Sequence, residues 1–393
     1  MIYLDWAATA PLCKEAADAM RPYLETGSHA FPLQANANAL YTAGREAFRN
    51  LEASRRLVAQ ALDARPDEII FTSGATEADN AALFGLVDAC MMQAEHTGDH
   101  CVPQVIVSSI EHDAVLEAAK TLHQWGALVT LVDPDASGHI TPEALEQVIT
   151  DDAIVVSIMA VNNEIGSVMD VAALADVAHR HGALFHTDAT QAWGKMPLSV
   201  KDWKVDALSV SSHKVGGPKG MGALYLKART PFSAQIVGGG QESKRRSGTQ
   251  NVCGAVGFAA AAKRLVDHAE QDASIMRTLR DYCYEGLRKH EGVAPTVPCE
   301  AGSTAYAPHI VNVMVEGMES ETLILQLDRR GFCVSGGSAC SSHSLDPSHV
   351  LTALSLPRDE ALGSLRVSMG PDTTKEDITA FLDAFAEVIQ QRL

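Results

Sequence analysis

The chain has no Cys-x-x-Cys spacing: its eight cysteines (Cys13, Cys90, Cys101, Cys253, Cys283, Cys299, Cys333 and Cys340) are scattered along 393 residues. Neither a zinc site nor a disulfide framework is indicated, so reduced thiols and no metal site are expected. No apolar run approaches the roughly 20 residues that a membrane span needs. The opening Met1-Ile-Tyr-Leu-Asp5 has neither the basic nor the apolar part of a leader. The expectation is a soluble, cytoplasmic protein without a membrane partner. Positive charge is also scarce: 31 Lys+Arg against 49 Asp+Glu leave a net charge of −18. The one local basic run is Lys244-Arg-Arg246, so nucleic acid is not an expected partner either. There is no internal repeat and no low-complexity tract. The 46% of hydrophobic residues suffices for a packed core, and the length predicts two domains, or one large domain with a subsidiary.

Along the chain, Glu15 to Tyr23 suits a short helix, 27–34 a loop, and Leu40 to Ala61 a long amphipathic helix. From Glu68 strands and helices alternate. Strands are expected at Ile69 to Thr72, Val105 to Ser108, Leu128 to Val132, Ile154 to Met159, Ala183 to Asp188, Ala207 to Ser211 and Gly222 to Leu226. Helices are expected from Ser73 to about Ala89, Ala114 to Gln124, after the Thr141-Pro142 cap, and from Val171 to His181. That order implies a mostly parallel seven-stranded sheet, helices on both faces, and a site at the strands' carboxyl ends. An alanine-rich helix from Asn251 to His268 follows, then a smaller α/β set with strands at Ile310 to Val315 and Ser364 to Ser368. The predicted division is a large domain over 15–255 and a small domain made of 1–14 and 256–393.

One of these strands ends on Ser211-Ser-His-Lys214 before glycine-rich chain. Taken alone, Lys214 is as well explained by a surface loop as by a site. Yet a lysine at an apolar strand end is desolvated, which lowers its pKa and makes its amine a nucleophile able to form a Schiff base. The neighbouring strand ends at Asp188, in His186-Thr-Asp-Ala-Thr-Gln191. A Schiff-base lysine with an aspartate for a pyridinium nitrogen is what pyridoxal phosphate chemistry requires. The opening of the helix at Ser73-Gly-Ala-Thr76 offers free N–H groups to an anion, although a plain N-cap reads the same way.

His-Thr-Asp-Ala-Thr-Gln followed by Ser-Ser-His-Lys-Val-Gly-Gly-Pro-Lys-Gly220 resembles the cysteine desulfurase family of aminotransferase-like pyridoxal phosphate enzymes. The resemblance runs from Tyr3-Leu-Asp-Trp-Ala-Ala-Thr-Ala-Pro11 to Arg366-Val-Ser-Met-Gly370. It implies an α/β fold of the aspartate aminotransferase type. Lys214 would then carry the cofactor and move the substrate's α-proton. Asp188 would face the ring nitrogen, His112 would stack on the ring, and Gln191 would bond its hydroxyl oxygen. Ala75, Thr76, Ser211 and His213 would hold the phosphate, with Thr249 reaching over from a second subunit of a homodimer. Arg366 would fork onto the substrate carboxylate, helped by Asn163 and Asn36. Where the family pattern is Asn-Pro-Ser-Ser, this chain has Asn36-Ala-Asn-Ala39.

Five cysteines (Cys13, Cys90, Cys253, Cys283 and Cys333) sit in apolar or alanine-rich surroundings and fit small core positions. Cys101 and Cys299 fall in expected loops. Cys340, within Val334-Ser-Gly-Gly-Ser-Ala-Cys-Ser-Ser342, has small polar neighbours and resembles the family's sulfur-accepting nucleophile. The implied reaction removes sulfur from L-cysteine, giving L-alanine and a Cys340 persulfide. The sulfur would pass on to an acceptor such as an iron–sulfur scaffold or a sulfur-relay protein. A selenocysteine lyase, another class-V aminotransferase-like enzyme and a catalytically silent assembly subunit are the competing readings.

Overall fold

The computed structural model describes residues 1–27, 31–97, 102–337 and 346–390. Its strands are β1 Ile2–Tyr3, β2 Ile69–Thr72, β3 Gln104–Ser108, β4 Leu128–Val132, β5 Ala153–Ser157, β6 Leu184–Asp188, β7 Ala207–Ser211 and β8 Gly222–Leu226. They continue with β9 Val293–Pro295, β10 Ile310–Val315, β11 Phe332–Cys333 and β12 Ser364–Ser368. The helices are α1 Lys14–Met20, α2 Phe31–Gln34, α3 Thr42–Ala61, α4 Ala75–Thr97, α5 Asp113–Gln124, α6 Pro142–Val148, α7 Val171–Arg180 and α8 Val252–Leu287. After these come α9 Ser320–Asp328, α10 His349–Ala353, α11 Arg358–Ala361 and α12 Lys375–Ile389.

Seven strands form the central sheet in the order β2-β8-β7-β6-β5-β3-β4. β8 runs antiparallel to both neighbours, and the other pairings are parallel. The strands are apolar on both faces because each face meets its own core. Ile70, Val105, Val107, Val155, Ala207 and Leu224 pack with α4 and α5. Ile69, Phe71, Ile106, Val156, Phe185, Leu208 and Val210 face the larger core that also takes in α3 and α8. Alternate residues of one strand thus enter different cores, as the two-residue period requires. At the edge, β4 leaves Leu128 and Leu131 exposed. A three-stranded antiparallel sheet, β12-β10-β9, and the parallel pair β1-β11 complete the chain.

The parallel sheet and the long α3 match expectation, with strand ends shifted by up to two residues. Three expectations are corrected. The stretch read as loop before Gln34 contains the short α2. α8 does not stop at His268: Asp267-His-Ala-Glu-Gln looks like an ending, but buried Asp272 pairs with Arg264 at 2.9 Å, and Ala273, Met276 and Leu279 resume the apolar face. The helix therefore runs on to Leu287. Cys299, expected in an open loop, is buried along with Cys283, whereas Cys13, Cys90, Cys253 and Cys333 are only half-buried. Cys101 lies outside the described residues. Among the described residues, no helix is long and apolar enough to cross a membrane.

Candidate active site

A cavity of about 520 Å³ opens at the carboxyl ends of β2, β5, β6 and β7, and residues from distant parts of the chain converge on it. β7 ends at Ser211, and a tight turn over Ser212–Lys214 aims the lysine inward. Lys214 Nζ donates to the carbonyls of Ala7 at 2.6 Å and Ala8 at 2.8 Å. The surface-lysine alternative therefore does not hold. Behind it lies a second, buried amine that sequence reasoning missed. Lys195 Nζ donates to the Lys214 carbonyl at 2.9 Å, and burial, with the Lys214 charge second, pulls its pKa down to about 7.

Asp188 ends β6 beside Lys214's strand, paired with Ser209, and accepts the Thr190 N–H at 2.8 Å. His112 both caps α5 and lines the cavity: its Nδ1 accepts from the Ala114 N–H at 3.1 Å, which leaves the proton on Nε2. Gln191 is held at both ends of its amide. Nε2 donates to Ala7 O at 2.9 Å, and Oε1 faces Nε2 of buried His309 at 3.1 Å. Burial holds His309 well below its ordinary pKa, so it remains a neutral donor. His213 is neutral for the same reason, reinforced by Lys214, Lys219 and Lys195, and its pKa falls to about 4. Its Nδ1 meets the Thr9 hydroxyl at 3.0 Å.

One end of the cavity is built for an anion. β2 turns through Ser73-Gly74 into α4, whose first turn presents Ala75 and Thr76. N–H groups there have no partner inside the helix, and the helix dipole favours negative charge. Gly222 on β8 lets this turn sit tight: a Cβ there would lie 2.7 Å from Gly74 Cα. Glu77, on the same turn, is neutralised by Arg246 at 2.8 Å and accepts the Ser73 N–H at 2.9 Å. Ser211 and His213 complete this end.

The other end holds a guanidinium. Arg366, on β12, is 1% exposed, donating to Asn163 O at 2.8 Å and to Asp5 Oδ1 at 2.9 Å. Its buried Nε has no hydrogen-bond partner among the described residues. Backbone bonds tie Arg366 to Ser335, and Glu164 meets both Gly337, whose Cβ would come within 2.9 Å, and the Ser348 hydroxyl at 2.6 Å. These are the described flanks of 338–345; Cys340 itself lies outside the described residues.

Two expected residues stand apart in the single chain. Thr249 is exposed and lines a neighbouring cavity of about 130 Å³, which shares Ser73 and Gly220 with the main one. Asn36 is also exposed and accepts from Asn38 N at 2.9 Å, while Asn38 reaches Gln250 at 2.8 Å. It does not line the main cavity. Apart from Cys340, every other expected site residue lines it. An amine, an aspartate, an anion cradle and a buried guanidinium on one cavity suit a phosphorylated aldehyde cofactor holding an amino acid.

The sequence pattern described as Aminotransferase class-V matches residues 2–381. The cysteine desulfurase IscS of Dictyoglomus turgidum is 38% identical over 390 residues, covering 99% of this chain and 95% of that one. The chain belongs to the cysteine desulfurases of the class-V aminotransferase family. A solved NifS-like protein superposes with a TM-score of 0.88 at 33% identity, over 99% of each chain. The structure titled "SspA in complex with cysteine" gives 0.79 at 33% identity, over 95% of this chain and 100% of that one. Enzymes of this family depend on pyridoxal phosphate, and the seven-stranded, mostly parallel sheet is the fold they share. Within the desulfurase site, sequence reasoning missed Asp5, Lys195 and His309. Lys195 and His309 adjoin apolar runs, a signal that points to burial but not to a partner.

Proposed function

We propose that this chain binds pyridoxal phosphate in the cavity and takes sulfur from L-cysteine, leaving L-alanine and a persulfide on Cys340. The observation that carries this reading is the convergence of Lys214, Asp188, His112 and Arg366 on one cavity. The cysteine named with the SspA structure supports the substrate.

Ala75, Thr76, Ser211 and His213 would hold the phosphate, and Gln191 the ring hydroxyl oxygen. Asp188 would keep the ring nitrogen protonated. When bound, the cofactor supplies an electron sink for charge developing at the substrate's α-carbon. Arg366 takes the substrate carboxylate, its Nε now paired, with Asn163 at its side. Lys214, released from the Ala7 and Ala8 carbonyls, takes the α-proton and later returns one as general acid. The Cys340 thiolate attacks the substrate sulfur; the electrons of the C–S bond stay on carbon, which is protonated to give alanine. The described flanks of its segment, Gly337 and Ser348, abut Glu164, next to Asn163.

Thr249 fits a phosphate role only from a second subunit, so the working form is a homodimer with two shared sites. The single chain agrees with this, since Thr249 and the Asn36 segment face outward. The persulfide sulfur goes to an acceptor protein, an iron–sulfur scaffold or a sulfur-relay protein, and the dimer works in the cytoplasm. The test is alanine formed per subunit from L-cysteine. Cys340→Ala should abolish it while the bound cofactor's cysteine-induced spectral change persists; near-normal turnover would overturn the persulfide route.

A further inference from the structure

Beneath Asp188 lies a buried polar cluster that the reaction above leaves unused. α4 opens the anion cradle at Thr76 and, three residues on, places Asp79 on the same side of the helix. β6 places His186 two residues before Asp188, on the same sheet face, which is the face that α4 covers. His186 Nδ1 meets Ser157 Oγ at 2.8 Å and Nε2 meets Ser209 Oγ at 3.0 Å. Its Nε2 lies 3.7 Å from Asp79 Oδ1. Glu111, just past β3, accepts from the Ser108 hydroxyl at 2.5 Å and the Met159 N–H at 2.7 Å. All three side chains are sealed from solvent: Asp79, Glu111 and His186 are each 0% exposed.

Two sealed carboxyls and one imidazole, with the Asp188 carboxyl at the cavity beside them, cannot all be charged. Neither oxygen of Asp79 has a hydrogen-bond partner among the described residues. Burial, then the neighbouring Asp188 carboxyl, push its pKa well up, and the nearby Ser209 hydroxyl works against them. No lysine or arginine contributes. Asp188 is placed differently: it lines the cavity and accepts the Thr190 N–H. His186 is kept neutral by burial, at about 3, and Glu111 is raised to about 8 by burial, so both are uncharged at neutral pH.

We propose that Asp79 holds the proton of the Asp79–Asp188 pair and, with neutral His186, forms a charge-free buttress that leaves Asp188 the one anion in the cavity floor. Asp79 is then a positioning residue: it touches neither substrate nor cofactor and decides where the floor's negative charge resides. A single undivided charge opposite the ring nitrogen is the consequence for catalysis. That consequence rests on the cofactor reading above; the proton assignment does not.

The test uses the full chain without cofactor, made with isotope-labelled aspartate, and its infrared spectrum at neutral pH. The label separates aspartate from Glu111, and the surface aspartates are ionised there. We expect one labelled, protonated-carboxyl band in the wild type, retained in Asp188→Asn and lost in Asp79→Asn. No such band in the wild type, or a band lost in Asp188→Asn and kept in Asp79→Asn, overturns the proposal. If Asp79→Asn fails to fold, the wild-type and Asp188→Asn spectra still decide.

Discussion

Replacing Lys195 with methionine should stabilise the cofactor-free chain at neutral pH. The lysine is almost sealed from water, and its pKa falls from 10.5 to about 7, first through burial and then through the charge of Lys214. A base whose folded pKa is depressed contributes stability that is present above its unfolded pKa and lost as pH falls through the folded one. The window therefore runs from about pH 10.5 down to about pH 7, and the full difference is about 5 kcal/mol. Methionine nearly matches the lysine stem but forfeits bonds to Lys214 O at 2.9 Å and Trp193 O at 3.4 Å. Those cost about 1–3 kcal/mol together. The net gain near pH 6 is about 2–4 kcal/mol, or several degrees in melting temperature. Thermal melts of both proteins between about pH 6 and about pH 10 provide the assay, and the gap should close and then reverse as pH rises. A variant that melts lower by the same margin at every pH would refute the reasoning, because Lys195 would then be a stabilising cation.

Two further outcomes follow from the same geometry. Lys214→Ala should purify without the visible chromophore of lysine-bound cofactor; retention of that colour, trapped by borohydride on another lysine, would move the assignment. Arg366→Lys keeps a charge but loses the planar fork that now spans Asp5 and Asn163, so KM for L-cysteine should rise about 10- to 100-fold, about 1.4–2.7 kcal/mol. Cofactor content, measured by absorbance, should hold.

The strand ends that carry Asp188 and Lys214 are legible because the apolar stretches Ala183 to Phe185 and Ala207 to Val210 give way there to polar residues, and the structure moves those ends little. The carboxyl-end location of the site follows from the parallel order. Three things were not legible, each for a reason of tertiary origin. The polarity pattern at Asp267-His-Ala-Glu-Gln mimics a helix end because the Arg264–Asp272 pair that carries α8 onward forms only in the folded helix. Lys195, Asp79 and His309 are ordinary polar residues until neighbouring elements close over them, so their protonation is a property of the packed fold. Thr249 and Asn36 face outward in the single chain, which the proposed site shared between two copies would account for and which no pattern in one sequence reveals.

The segment 5–13 threads between the two halves of the molecule. Asp5 grips Arg366, the Ala7 and Ala8 carbonyls hold Lys214, Ala7 O also holds Gln191, Thr9 meets His213, and Cys13 N–H bonds Gly216 O. The Asp5–Arg366 contact joins residues 361 positions apart, and the Ala7–Lys214 contact joins residues 207 apart. Closing loops of that length costs chain entropy before any contact repays it, which slows such pairings relative to the local βα units. The central sheet can therefore assemble while its lysine still lacks an anchor. Competence for chemistry arrives late in folding, when one short thread is drawn across a scaffold that already exists.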